Sequence, residues 1–294
     1  MLSMGAMAGL AENWQGHLLP MDDEQFVQWA KLLEQRAGIS VSISRKAFVA
    51  SKLRMRMREL GINNYQQYYD LVSARKGGAV EWQVLLNRLT IHETAFYRHI
   101  PSFQLLRGVF LPRFFSGSEA PYKLDIWSVG CATGEESYSL AILVDDFAQA
   151  QGLECYYGVT GTDISLQSLT VARKGIYQQQ QVKGLDTQLV DKYFEPIGEN
   201  DFQVTKGIRE RMCFAQLNVQ DVGNSPLGTM DVIFCQNLLI YFAKEQKLKI
   251  LDSLKRLLKP GGLLVLGLGE MMGWSSPELQ RVDYPDTCAY QRIQ

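Results

Sequence analysis

Hydrophobic and polar positions repeat with two different periods along this chain, and the change falls near residue 120. From about residue 21 to 115, apolar side chains recur every three to four positions, the period of one helix face. The spacing predicts helices over 22–38, 44–61, 64–74, 80–89 and 102–115. In the first, Phe26, Trp29, Leu32 and Leu33 share a face, and Gly38 and Gly61 sit where left-handed C-terminal caps belong. After Pro121 the rhythm becomes strand, glycine turn, helix, strand. Strands are predicted at 123–129, 156–162, 231–235 and 263–268, and helices at 135–149, 166–173 and 244–258, the last ended by Lys259-Pro260-Gly261-Gly262. This alternation implies right-handed crossovers and a mostly parallel, doubly wound α/β sheet. Residues 193–217 break the rhythm with short alternating runs around a turn at 198–201, which predicts a small antiparallel insertion. The expected organisation is a disordered tail over 1–20, an all-α domain over 21–90, a linker helix region over 91–120 and an α/β domain over 121–294.

Composition narrows the class without fixing it. The 294 residues allow two domains, and a net charge of -1 argues against the basic excess of a non-specific nucleic-acid binder. Five cysteines without a C-x-x-C pair, and three histidines, give no basis for a disulfide framework or a metal site. No apolar run reaches the length of a spanning helix, so a cytoplasmic protein without membrane insertion is expected. A monomer is the simplest expectation.

Four segments concentrate candidate chemistry. The first strand runs through Gly130 and Gly134 into Glu135 and Glu136. These glycines fit neither G-x-G-x-x-G nor a P-loop, and the acidic pair would repel a pyrophosphate, so a cationic ligand suits the turn better. A plain strand-to-helix turn reads equally well. Asp163 ends the second strand, where a carboxylate can accept both hydroxyls of a ribose or, alternatively, cap the next helix. Gln236 and Asn237 follow the third strand, with Tyr241 beyond them. Asn237 there is either a ligand contact or a capping residue, and Tyr241 a site or core residue. His92, Glu93, Thr94, Arg98 and His99 crowd the junction between the two regimes, as a lined site or a solvated helix end.

Together and in this order, the four segments resemble the CheR family of chemotaxis-receptor methyltransferases. That family shows Thr-x-Asn-x-Thr-x-Phe-Phe-Arg, Thr-Gly-Glu-Glu-x-Tyr-Ser, Thr/Ser-Asp-Ile and Phe-Cys-Arg-Asn-x-x-Ile-Tyr-Phe segments. The likeness covers about residues 22–290, and the His-Glu-Thr variant of the first segment is similar to the PilK branch of type IV pilus chemosensory systems. There are departures: His92 stands for Asn, Ser137 for Pro, Gln236 for Arg, and Gly267-Leu268-Gly269-Glu270 for Gly-His-Ser-Glu.

The resemblance implies a Rossmann-like class I methyltransferase sheet that uses S-adenosyl-L-methionine and releases S-adenosyl-L-homocysteine. It implies methyl esterification of glutamates on the cytoplasmic helical domain of a methyl-accepting receptor, with a weakly catalytic cofactor-binding adaptor as the alternative. By the same resemblance Thr94 and Arg98 contact the cofactor's amino-acid portion, with Glu135 nearby and His92 a possible donor. Gly130 belongs to the cofactor turn and the 91–120 region contributes to the site; Asp163 holds the ribose; Asn218 and Val219 border the adenine; Asn237 and Leu238 complete the pocket. Arg98 is expected to orient a carboxylate and Tyr241 to position the acceptor. Arg45, Lys52, Arg54, Arg56 and Arg58 flank the apolar stripe Val49, Leu53, Met57 and Leu60, and are either a receptor-docking face or a solvated basic face. The insertion corresponds to the family's β-subdomain but lacks a Gly-x-Gly loop in Pro196–Phe202, so docking without a pentapeptide tether is expected.

Overall fold

The computed structural model describes residues 20–74, 77–90, 93–117 and 121–293. The expected tail therefore lies outside the described residues, apart from Pro20, and so does His92. The chain divides into two compact units at Ile91/His92.

The first unit is helical, and its helix ends follow local chemistry. Helix α1 (Asp23–Ala37) starts on a capping box: Gln25 N donates to Asp22 Oδ1 at 2.7 Å and Asp22 N to Gln25 Oε1 at 3.1 Å. It stops at Gly38, whose φ of 72° lets its amide reach Glu34 O. Helix α2 (Lys46–Glu59) follows a short 3-10 turn, Ile43–Arg45, and buries Val49, Ala50, Leu53 and Met57. Helices α3 (Tyr65–Ser73) and α4 (Gly78–Leu89) complete the unit. Trp29 anchors it, 5.5 Å from Tyr68 and 5.2 Å from Tyr69 by ring centroids.

The second unit opens with helix α5 (Ile100–Leu105), a π-helical segment (Leu106–Phe110) and α6 (Leu111–Gly117), where one uninterrupted helix is expected from sequence. Its sheet has the order β6-β2-β1-β7-β8-β10-β9. Strands β1 (Tyr122–Val129), β2 (Cys155–Asp163), β6 (Met212–Gln216), β7 (Met230–Cys235) and β8 (Leu258–Leu266) are parallel. Strand β10 (Cys288–Arg292) runs antiparallel between β8 and β9 (Leu279–Val282). Helices α7 (Glu135–Ala150), α8 (Leu166–Lys174) and, further on, α12 (Lys244–Leu257) supply the crossovers. One sheet face packs Leu124, Ile126, Val232, Phe234 and Val265 in a core with α7 and the α5–α6 region. The other packs Trp127, Val129, Ile233 and Leu264 in a core with α12.

The antiparallel insertion is present with different bounds. A second sheet, β3-β5-β4, joins Ile176–Gln178 (β3), Phe194–Ile197 (β4) and Asp201–Val204 (β5). Short helices α9 (Gln179–Val182) and α10 (Thr187–Tyr193) lie within it, and α11 (Lys206–Arg209) follows it. Residues 212–216, expected inside the insertion, instead form β6 beside β2. The reason is non-local: β3 has three residues and pairs only with a strand 23 or more positions later, so no local pattern announces it. Likewise Lys259–Gly262, read as a turn, lies within β8 across a register shift, where an irregular strand tolerates Pro260.

Candidate functional site

Four parallel strands, β6, β2, β1 and β7, deliver their carboxyl ends to one edge of the sheet, the place where ligands bind in doubly wound folds. The turn leaving β1 is made of left-handed residues: Gly130 at φ 72°, Ala132 at 46° and Gly134 at 98°. It is stitched to β2, since Gly130 N and Cys131 N both donate to Thr162 O, at 2.8 and 2.9 Å. Glycine is required at two of these positions. A Cβ on Gly134 would lie 2.9 Å from Ala172 Cβ, and one on Gly130 would lie 3.0 Å from Leu238 Cδ1. Gly130 and Leu238, distant in sequence, thus lie in contact.

Asp163 is buried and fixed from both sides. Its Oδ2 accepts from Ala132 N at 2.9 Å and its Oδ1 from Ser165 N at 2.8 Å. The cap of α8 is Ser165, whose Oγ accepts from Ser168 N, so the capping alternative for Asp163 falls away. Leu217 N donates to Asp163 O at 3.1 Å, which brings the end of β6 alongside. Asn218 then starts a 3-10 turn, Val219–Asn224, by accepting from Gln220 N, and Val219 is buried.

The two glutamates of the turn separate. The buried Glu135 carboxylate accepts from Thr133 Oγ1, in the turn itself, at 2.7 Å and from Gln181 Nε2, on α9, at 3.0 Å. Burial pushes its pKa up and these two donors oppose the rise. Glu136 instead accepts from Ser128 Oγ at 2.8 Å, within β1 itself. Burial pushes Glu136 up to about 7; the Ser128 hydroxyl opposes this, Glu270 adds to it and Arg98 opposes it. Glu136 therefore shares an electrostatic environment with Arg98 and Glu270, whereas the sequence reading took Glu135 of this acidic pair as the residue near the cofactor. The two carboxylates are adjacent in sequence, and their different hydrogen-bond partners separate them.

The segment before α5 is held by packing. Phe96 lies edge-on to Tyr177 at 4.9 Å and to Phe194 at 5.4 Å, and Tyr97 N donates to Ser139 Oγ at 3.0 Å. This leaves Thr94 half-buried and Arg98 exposed, with Arg98 Nη1 donating to Glu93 O at 2.6 Å. On the other rim Asn237 takes a left-handed φ of 58° and exposes its side chain, followed by Leu238 and by half-buried Tyr241. Gln236 is buried, and its Nε2 donates to Ser102 Oγ at 3.0 Å and Leu266 O at 3.1 Å. It ties β7 to α5 and β8, a structural task that leaves the crevice to its neighbours.

The donor set suits a positively charged nucleoside: a buried carboxylate at the end of β2, a second at the end of β1, and a glycine turn with no room for side chains between them. Matches to family models agree. Residues 92–286 match the S-adenosylmethionine-binding domain of CheR methyltransferase, and residues 24–90 its all-alpha domain. The chain belongs to the CheR methyltransferase family. It is 30% identical to the chemotaxis protein methyltransferase Cher2 of Pseudomonas putida, over 90% of this chain and 97% of that protein. It is 34% identical to the chemotaxis protein methyltransferase of Escherichia coli, over 86% of each chain. The Klebsiella aerogenes chemotaxis protein methyltransferase is 33% identical, over 91% and 88%. The family's cofactor is S-adenosylmethionine, and the residues at this strand edge fit it.

In the helical unit, the basic face resolves into different roles. Arg56 is an internal strut: it donates to Glu81 from Nε and Nη2 at 2.8 and 2.7 Å, and from Nη1 to Glu59 at 3.0 Å. Its assignment to docking is corrected accordingly, because a guanidinium committed to a buried carboxylate is not presented to a partner. Arg45 and Lys52 lie over the Phe48 ring at 5.4 and 5.5 Å, while Arg54 and Arg58 are exposed. Among the described residues, no helix is long and apolar enough to cross a membrane.

Proposed function

We propose that this methyltransferase esterifies glutamate side chains on the cytoplasmic helical domain of a methyl-accepting receptor, and that it serves the type IV pilus (PilK) branch from the cytoplasm as a monomer. The observation that supports the reading is the pair of carboxylates at the carboxyl ends of β2 and β1, Asp163 held by Ala132 N and Glu136 held by Ser128 Oγ, in a chain whose residues 92–286 match the S-adenosylmethionine-binding domain of CheR methyltransferase. When bound, S-adenosylmethionine supplies a methyl group already activated on a sulfonium. Asp163 holds the ribose, Asn218 and Val219 flank the adenine, and Thr94, Gly130, Asn237 and Leu238 border the amino-acid end. We place Glu136, rather than Glu135, toward the cationic end of the cofactor.

A substrate glutamate, with a pKa of about 4.3 in a free chain, arrives ionised at neutral pH. A carboxylate oxygen forms the new C–O bond as the methyl–sulfur bond breaks, no proton moves, and the products are an ester and S-adenosylhomocysteine. Alignment and water exclusion therefore matter more than a general base. Arg98 orients the incoming carboxylate, and Tyr241 positions it from the opposite rim. Arg45, Lys52, Arg54 and Arg58 steer an acidic receptor helix toward the enzyme.

The test is transfer of a labelled methyl group to receptor cytoplasmic domains, with the ester located by mass spectrometry. Arg98→Ala and Tyr241→Phe are expected to slow transfer at least ~10-fold while the fold is kept. Equal rates in both variants would remove these roles. A cofactor-binding adaptor is the second reading, suggested by the departures at His92 and Gln236. Gln236 is occupied by Ser102 and Leu266, so its change leaves the crevice acids in place. Absence of transfer to any receptor, with cofactor bound, would favour the adaptor. The turn between β4 and β5 is only residues 198–200, which supports docking without a pentapeptide tether. Tight calorimetric binding of a tryptophan-containing receptor tail peptide would contradict it.

A further inference from the structure

Two side chains of the antiparallel insertion end on the turn between β1 and α7. Tyr177, in the middle of β3, donates from Oη to Thr133 O at 2.8 Å. Gln181, on α9, donates from Nε2 to Glu135 Oε1 at 3.0 Å, and Thr133 Oγ1 donates to the other oxygen of the same carboxylate at 2.7 Å. The amide of Gln181 is oriented by its own helix: its Oε1 accepts from Gln178 N at 2.9 Å in a capping box, which leaves the NH2 group for Glu135. The Tyr177 hydroxyl lies so close to the turn that a Cβ on Gly134 would fall 3.1 Å from it. Burial raises the Tyr177 pKa well above that of a free tyrosine, so the hydroxyl stays a donor.

The same tyrosine holds a second segment of the site. Its ring meets Phe96 edge-on at 4.9 Å, and Phe194, in β4, meets Phe96 at 5.4 Å. Phe96 stands between Thr94 and Arg98, and Tyr177, Phe96 and Phe194 are buried in one core. Neither β3 nor β4 belongs to the main sheet. What the insertion reaches is Thr133, Glu135 and Phe96, in two of the segments placed above at the amino-acid end of the cofactor. The turn needs such support. Ala132 is a non-glycine residue at a left-handed φ of 46°, a conformation that persists only where its surroundings over-determine it.

We propose that the insertion is a cofactor clamp: Tyr177 and Gln181 are positioning residues that hold the Thr133–Glu135 turn and the Phe96 segment at the spacing required by the amino-acid end of S-adenosylmethionine. This rests on the cofactor placement given above. Both residues act through the turn and not by touching the cofactor. The insertion thereby has a task at the methyl-donor site that is separate from receptor docking.

The experiment measures, by calorimetry on the full chain, the affinities of S-adenosylhomocysteine and of 5′-methylthioadenosine, which lacks the amino-acid portion. The variants are Tyr177→Phe and Gln181→Glu, compared with wild type at about pH 8, where a carboxylate is ionised. Tyr177→Phe keeps the ring against Phe96 and removes only the hydroxyl. Gln181→Glu keeps the acceptor for Gln178 N and replaces the donor to Glu135 with a like charge. Gln181 is exposed, so this second variant keeps the fold even where the first loosens the core. Each variant is expected to bind S-adenosylhomocysteine ~10-fold more weakly and 5′-methylthioadenosine less than twofold more weakly. The receptor KM at saturating cofactor is expected to stay at the wild-type value. Unchanged S-adenosylhomocysteine affinity in both variants, or equal losses for the two probes, overturns the clamp. If Asp163→Ala leaves the affinity of both probes unchanged, the cofactor placement fails first and the clamp with it.

Discussion

Both units bury carboxylates, and they treat them in opposite ways. In the helical unit Glu81 is matched on every side: Arg56 donates to both of its oxygens, and Tyr68 Oη donates to Oε1 at 2.8 Å. The pKa of Arg56 rises because of that bond to Glu81, and Tyr68 rises through burial and the same carboxylate. In the α/β unit the partly buried Glu136 accepts from one hydroxyl, Ser128 Oγ, and is pushed up to about 7. A compensated buried charge fixes a structure, whereas an under-compensated one at a strand edge holds an affinity for a cation in reserve. The same residue type therefore reads as a strut in one unit and as part of a site in the other.

The sharpest way to break this contrast is to remove one partner in each unit. Glu81→Ala leaves Arg56 without its main partner and is expected to cost about 3 kcal/mol of stability, with little change in the cofactor affinity of the folded protein. Chemical denaturation followed by calorimetry on the folded variant reads both. Asp163→Ala should do the converse: cofactor affinity falls by roughly 100-fold, about 2.7 kcal/mol, with a smaller stability loss from the freed Ala132 and Ser165 amides. If Asp163→Ala melts the unit without touching affinity in what remains folded, the division between strut and site is wrong.

A subtler effect follows from the raised Glu136. Its folded pKa of about 7 lies above the ordinary 4.5, so the cofactor-free protein binds a proton that the unfolded chain has lost. The stabilisation from that proton is present below about pH 4.5 and is lost as pH rises through 7. A cationic cofactor favours the ionised form, so binding should release protons below pH 7, and affinity should climb by up to ~10-fold per unit there before levelling. Calorimetry in buffers of different ionisation enthalpy measures the release, and Glu136→Gln should flatten the profile. The smallest effect is expected for Tyr68→Phe, which removes one donor to Glu81 and should cost about 1 kcal/mol, with Arg56 still in place. A loss as large as that of Glu81→Ala would mean that the strut depends on the tyrosine rather than on the ion pair.

Much of the fold was legible because its signals are local. Phe26, Trp29, Leu32 and Leu33 set the buried face of α1, and the Asp22 capping box and Gly38 set its ends. Strands β1, β2 and β7, with Gly130, Gly134 and Asp163 at their carboxyl ends, follow from short apolar runs that meet turn residues. The misreadings share one cause. Strand β3 is paid for only by partners far along the chain, β6 becomes part of the main sheet only beside β2, and Lys259 and Pro260 are drawn into β8 by β7.

By itself the sequence determined most helices of the first unit and strands β1, β2 and β7, which residues supply acid at the strand edge, and which family the motifs resemble, because backbone propensity, capping and periodicity act over a few residues. Only the tertiary structure decided which of two adjacent glutamates points along β1, that Arg56 is committed to Glu81, and that Ser165 rather than Asp163 caps its helix. Those outcomes depend on side-chain direction and on partners dozens of residues away, and local spacing carries neither.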